Sequence, residues 1–110
     1  MIEAYNEILG ITKDELLKLN FKLKINSDYT AEFSNNSQWQ FILEGDKFIH
    51  PAFDIFIARD RNTNNEKRFS IRILMLALGD SRPPSLHNQL DFFANNQQSL
   101  LTKTNISYET

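Results

Sequence analysis

The chain has 110 residues, 41% hydrophobic and 24% charged, a balance that fits one globular domain and excludes a disordered chain. Its net charge of −2 and lack of cysteine exclude disulfide stapling and thiolate metal sites, and leave no overall basic footprint for nucleic acid. The three glycines, at 10, 45 and 79, lie in no Gly-rich loop, so no phosphate-binding motif and no nucleotide cofactor is expected.

Ile2, Tyr5, Ile8 and Leu9 fall at helical spacing, with Gly10 as a stop. Thr12-Lys13-Asp14-Glu15 matches a capping box and predicts a second short helix over 12–19, with Leu16, Leu17 and Leu19 as its apolar face. From Phe21 the period changes to two. Phe21, Leu23 and Ile25 form the first apolar row, and Tyr29, Ala31 and Phe33 the second. Trp39, Phe41 and Leu43 form the third, Phe53, Ile55 and Ile57 the fourth, and Phe69, Ile71 and Ile73 the fifth. Asn26-Ser27-Asp28, the run from Ser34 to Ser37, Gly45-Asp46 and the long polar stretch from Arg59 to Lys67 supply the turns. Gly79 to Pro84 breaks the pattern, and Ser85 is placed to cap a helix over 85–101 carrying Leu86, Leu90, Phe93, Ala94, Leu100 and Leu101. The tail after Thr102 is either a final edge strand or loose. With no repeat or linker, 1–110 reads as a single α+β domain. It is an antiparallel meander of about five strands, with N-terminal helices and a C-terminal helix packed on it.

Catalytic constellations are sparse. His87 and Asp91 are spaced i,i+4 beside Ser85 and Ser81, but that spacing reads as a surface polar pair. Asp54 precedes Glu66-Lys67-Arg68, which puts Arg where a metal-dependent nuclease requires Lys, and Glu44-Gly45-Asp46-Lys47 lies in a turn. These charges read as solvated, so no metal and no catalytic residue is assigned. Trp39, Phe41, Phe48, Phe53, Phe56 and Phe69 suggest a stacking platform for single strands, yet most share the face that the core needs, and the core takes them. Ile42 and Phe56 fall on the opposite face by parity, which predicts a second packed layer there, from the N-terminal helix or a partner. Residues 1–55 carry a net −4 and residues 56–110 a net +2. Asp28, Glu32, Glu44, Asp46, Asp54 and Asp60 recur in turns and on polar strand faces, where an acidic surface would steer a cationic protein.

The compact size, mild acidity, absence of cysteine and helix–meander–helix order suggest a family. So does the run Trp39-Gln40-Phe41-Ile42-Leu43-Glu44-Gly45-Asp46 followed by Pro51-Ala52-Phe53-Asp54. In these features the chain resembles small bacterial immunity proteins of contact-dependent growth inhibition systems. The resemblance implies a non-enzymatic inhibitor that binds one cognate toxin domain in the cytoplasm and occludes its active site. Many such toxins are basic nucleases, which suits an acidic binding face. Asp28, Glu32, Glu44, Asp46 and Asp54 are the expected contacts, with Trp39 or Phe56 as aromatic anchors. A chain without valine and rich in Asn, Ile, Lys and Phe points to an AT-rich, bacterial genome. The acidic N-terminus is no secretory signal, and the longest apolar run, Ile73 to Leu78, is too short for a membrane helix. A cytoplasmic monomer that contacts neither membrane nor nucleic acid is expected. The alternatives are an acidic homodimeric secretion chaperone and a small metal-dependent hydrolase using Asp54 and Glu66.

Overall fold

The alternating rows pair in the order in which they occur. The computed structural model describes residues 1–36 and 38–102, with side chains through Leu100. A 3-10 turn at Glu3–Tyr5 leads into α1 (Asn6–Leu17). The strands are β1 (Lys22–Asn26), β2 (Thr30–Ser34), β3 (Trp39–Gly45), β4 (Phe53–Arg59) and β5 (Lys67–Ser70). Two helices follow, α2 (Ile71–Ala77) and α3 (Leu86–Thr102). The strands form one antiparallel sheet in the order β1-β2-β3-β4-β5, the expected α+β meander. β3 and β4 pair along their full length, from Trp39 opposite Arg59 to Gly45 opposite Phe53.

Alternation puts Ala31, Phe33, Phe41, Leu43, Ile55, Ile57 and Phe69 on one inner face, all buried in a single cluster with Leu16 of α1 and Leu90 and Phe93 of α3. Phe41 is the hub, its ring centroid 5.0 Å from Phe93 and 6.2 Å from Phe33, while Phe93 meets Phe21 at 5.7 Å. Each such side chain contributes about 1.5–3 kcal/mol on leaving water.

Three expectations are corrected. Gly10 does not stop the first helix, and no capping box forms at Thr12. α1 runs unbroken from Asn6, and the buried Thr12 hydroxyl donates to the Ile8 carbonyl at 2.7 Å. Leu16, with Ile8 and Leu9 partly buried beside it, ties the whole length to the core. That outweighs a mid-helix glycine, which costs about 1 kcal/mol against alanine. The true stop is Asn20, whose φ of 66° lets the Phe21 N–H reach the Leu16 carbonyl at 3.0 Å.

The fifth strand does not continue through Ile71 and Ile73. It ends at Ser70, and Ile71, Leu74 and Met75 are buried at helical spacing in α2. β5 pairs only with residues 56–59 of β4, and α2 packs beside the earlier part of that strand, where Arg72 reaches Asp54.

Nor does the N-terminal helix supply a second layer on the opposite face. The buried apolar side chains of α1, α2 and α3 all join the inner-face cluster, whereas Ile42 and Ala58, also buried, stand outside it. α3 begins as expected, with the Ser85 hydroxyl accepting the Asn88 N–H at 3.2 Å. The tail after Thr102 lies outside the described residues. Among the described residues no helix is long and apolar enough to cross a membrane.

Gly45 closes β3 directly over the Tyr5 ring. A Cβ there would lie 2.5 Å from Tyr5 Cζ, and Tyr5 is fully buried with its hydroxyl engaged. The ring cannot retreat, so Gly45→Ala is expected to cost about 1–3 kcal/mol, as overpacked cores do. Urea unfolding measures it, and an unchanged midpoint would contradict this packing.

Candidate functional site

The outer face of the sheet is built by the same alternation that builds the core. Across β2, β3, β4 and β5, Glu32, Ile42, Phe56 and Ser70 stand side by side in register, with Thr30, Glu44 and Asp54 in the next row. In place of a helical layer, arginines from the β4–β5 segment and α2 reach over this face. Arg61 forks onto Glu32, Nε to Oε1 at 3.0 Å and Nη2 to Oε2 at 3.3 Å, and its Nη1 donates to Glu66 at 2.9 Å. Arg68 lies 4.8 Å from the centre of the Phe56 ring and donates to Glu44 at 3.3 Å. Arg72 meets Asp54 at 3.5 Å. The pairs loosen towards α2: Glu32 is 12% exposed, whereas Arg72 and Asp54 are 54% and 48% exposed.

The β3–β4 loop projects from one end of this face. Asp46 organises it, with Oδ1 accepting the N–H groups of Phe48 at 2.7 Å and Ile49 at 2.8 Å. Those donors, Ile49 foremost, hold the Asp46 carboxyl below its ordinary value, so it is ionised at neutral pH. The Asp46 N–H donates to the Ala52 carbonyl at 2.9 Å, and the Ala52 N–H to the Ile49 carbonyl at 3.0 Å. From below, the Tyr5 hydroxyl sits 2.7 Å from both the Asp46 and the Ala52 carbonyl oxygens. Burial, reinforced by the Asp46 charge, pushes that hydroxyl's pKa up, so it remains a donor. The loop presents Phe48 and Ile49 outwards, 91% and 68% exposed.

Between loop and sheet lies an open concavity of about 330 Å³ lined by Glu44, Asp46, Asp54 and Arg72. A second, of about 370 Å³, shares Asp54 and Arg72 and is otherwise lined by Phe56, Ser70, Ile73 and Leu76. Glu44, Asp46, Asp54 and Phe56 are thus brought together. Glu32 shares their face but is engaged by Arg61. Asp28 is exposed in the β1–β2 turn at the same end of the sheet, where its neighbour Tyr29 accepts the Gly45 N–H, but it does not line the concavity. Trp39 is on the inner face, 3% exposed, with its ring 6.0 Å from Phe69.

The sequence pattern missed Phe48 as a surface residue. Expected among the core aromatics, it is the most exposed of them, because it stands in a turn between Asp46 and Pro51 where alternation does not apply. Arg61, Arg68 and Arg72 lie close together in the sequence, which gives no sign of their partners. Asp91 accepts from Arg82 at 2.7 Å and from Asn95 at 3.2 Å. Asp54 and Glu66 face different arginines, and no group of three or more His, Asp or Glu is arranged to hold a metal among the described residues. No family model, curated protein or solved structure matches this chain.

The Arg61 fork generates two expectations. Arg61→Met leaves Glu32 buried without its partner and is expected to cost about 1–3 kcal/mol in urea unfolding. The Arg61 side chain, aided by the Asn62 N–H, holds the Glu66 carboxyl below its ordinary value of 4.5. A carboxyl lowered in the folded state stabilises above its unfolded pKa and loses that contribution as pH falls through the folded one. Wild type should therefore melt above Glu66→Gln at pH 7, and the gap should narrow as pH falls below 4.5. A constant gap would mean that the charge on Glu66 contributes nothing.

Proposed function

We propose that this chain is a non-enzymatic immunity protein that binds a cognate bacterial toxin domain in the cytoplasm and occludes its active site. One observation carries the reading: Glu44, Asp46 and Asp54 converge on one open concavity beside a projecting loop. Asp46 bonds backbone N–H groups rather than an arginine, so its charge is directed at whatever approaches. The Asp54–Arg72 pair is long and half exposed, and such pairs are worth about 0–1 kcal/mol. An incoming lysine or arginine therefore competes with Arg72 on even terms. The partner that fits is a protein domain with a cationic surface, such as a basic nuclease. Rim acids of this kind chiefly raise the association rate.

The apolar concavity around Phe56, Ile73 and Leu76 favours a second reading, an acidic homodimeric secretion chaperone with a groove for an unfolded client. A dimer mass in light scattering would support it, and a monomer counts against it.

The test starts with whether a gene for a large secreted toxin lies immediately upstream, whose absence counts against the reading, and continues with co-expression of this chain and that toxin's C-terminal domain. Protection of growth is expected, together with a complex whose on-rate falls steeply as salt rises. Doubly reversing the rim, with Glu44→Lys and Asp54→Lys, should slow association about tenfold or more at low salt. Undiminished killing in the presence of the wild-type chain sinks the proposal.

A further inference from the structure

Phe48 and Ile49 are consecutive, large, apolar and more exposed than ordinary surface chemistry requires. They are also held in place. The Asp46 carboxylate fixes their N–H groups, the Asp46–Ala52 and Ala52–Ile49 backbone bonds close the loop, and the Tyr5 hydroxyl grips both of its ends from the core. With so many of its polar groups turned inwards, the loop offers apolar surface to the outside, without the ordering cost of a floppy segment. Beside that surface stands the carboxylate of Asp46, and with it Glu44 and Asp54, which Arg68 and Arg72 engage.

Building on the immunity reading, we propose that the 46–52 loop is the preformed apolar anchor of the complex. It inserts Phe48 and Ile49 into an apolar cleft of the toxin domain whose rim carries lysine or arginine. A phenylalanine buries about 150–250 Å², enough to dominate an interface when it fills a pocket. The flanking charge decides between occupants. A second copy of this chain docking loop to loop would set Glu44, Asp46 and Asp54 against their own equivalents, and an anionic membrane surface would repel them. A cationic cleft satisfies both features of the loop at once.

The experiment uses the 110-residue chain, with the C-terminal domain of a toxin whose gene lies immediately upstream as the probe, and reads on- and off-rates by surface plasmon resonance. Phe48→Ala is expected to weaken binding about 30-fold and Ile49→Ala about tenfold, mainly through faster dissociation. Both should melt like wild type, because the side chains removed are exposed. Asp46→Asn keeps the oxygen that accepts from Phe48 and Ile49 but removes the charge, and should slow association while leaving dissociation nearly unchanged. Tyr5→Phe keeps every outward side chain and frees the ends of the loop. Measured well below its melting point, it should bind about three- to tenfold more weakly, the cost of ordering one or two side chains anew.

If wild type neither binds nor protects, the immunity reading fails and the anchor with it. If wild type binds and Phe48→Ala with Ile49→Ala together change the affinity less than twofold, the anchor alone is overturned. It is overturned equally if wild type is a dimer that the double substitution splits, since the loop would then be occupied by a second copy.

Discussion

The contact on which the rest of the molecule turns is Tyr5 beneath Gly45. Its ring closes the end of the core, and its hydroxyl lies 2.7 Å from two carbonyls on opposite sides of the β3–β4 loop. Gly45 is required because any side chain would strike the ring. The N-terminus joins the same end of the sheet, with the Ile2 N–H donating to the Asp28 carbonyl and the Met1 amine to the Asn26 side chain. One aromatic residue at the start of the chain thus fixes the direction in which residues 46–52 leave the sheet. The core ends where the candidate interface begins, and both depend on the same ring.

The outer face solves a different problem. Ile42 and Ala58 are buried there without joining the helical core. Arginine side chains suit this task, since their stems lie along apolar surface while their guanidinium groups remain paired. Arg68 stacks on Phe56 and reaches Glu44, and Arg61 spans Glu32 and Glu66. The acids of this face therefore serve two ends. Near β2 they hold the β4–β5 segment down on the sheet, and near α2 they are left half exposed.

Much of this architecture was legible because burial on one face imposes a period of two, and nothing else explains Trp39-Phe41-Leu43 set against Phe53-Ile55-Ile57. The pattern failed where a short apolar run satisfies both periods. Ile71 and Ile73 continue the alternation of Phe69, yet Ile71, Leu74 and Met75 also fit a helix, and the packing beside β4 selects the latter. Thr12 and Glu15 match a cap in sequence, but a helix already anchored through Ile8, Leu9 and Leu16 has no reason to restart. Parity placed Ile42 and Phe56 on the face opposite the core, where the strand register also sets Glu32, Glu44 and Asp54, while Trp39 belongs by the same parity to the core. What no local pattern encodes is pairing at a distance. Glu32 and Arg61 are 29 residues apart, and only the register of three strands brings them together.

That distinction bears on how an acidic surface is recognised. Counting acids in the first half of the chain gives a patch, but once the sheet forms arginines from the second half pair with three of those nine acids, Glu32, Glu44 and Asp54. The charge left to act outwards is set by geometry. Asp46 retains it because its hydrogen bonds come from neutral backbone N–H groups, which stabilise the carboxylate without cancelling its field. A carboxylate used in this way both shapes the loop and advertises it. The same side chain that turns Phe48 and Ile49 towards solvent supplies the attraction that would bring a cationic surface to them.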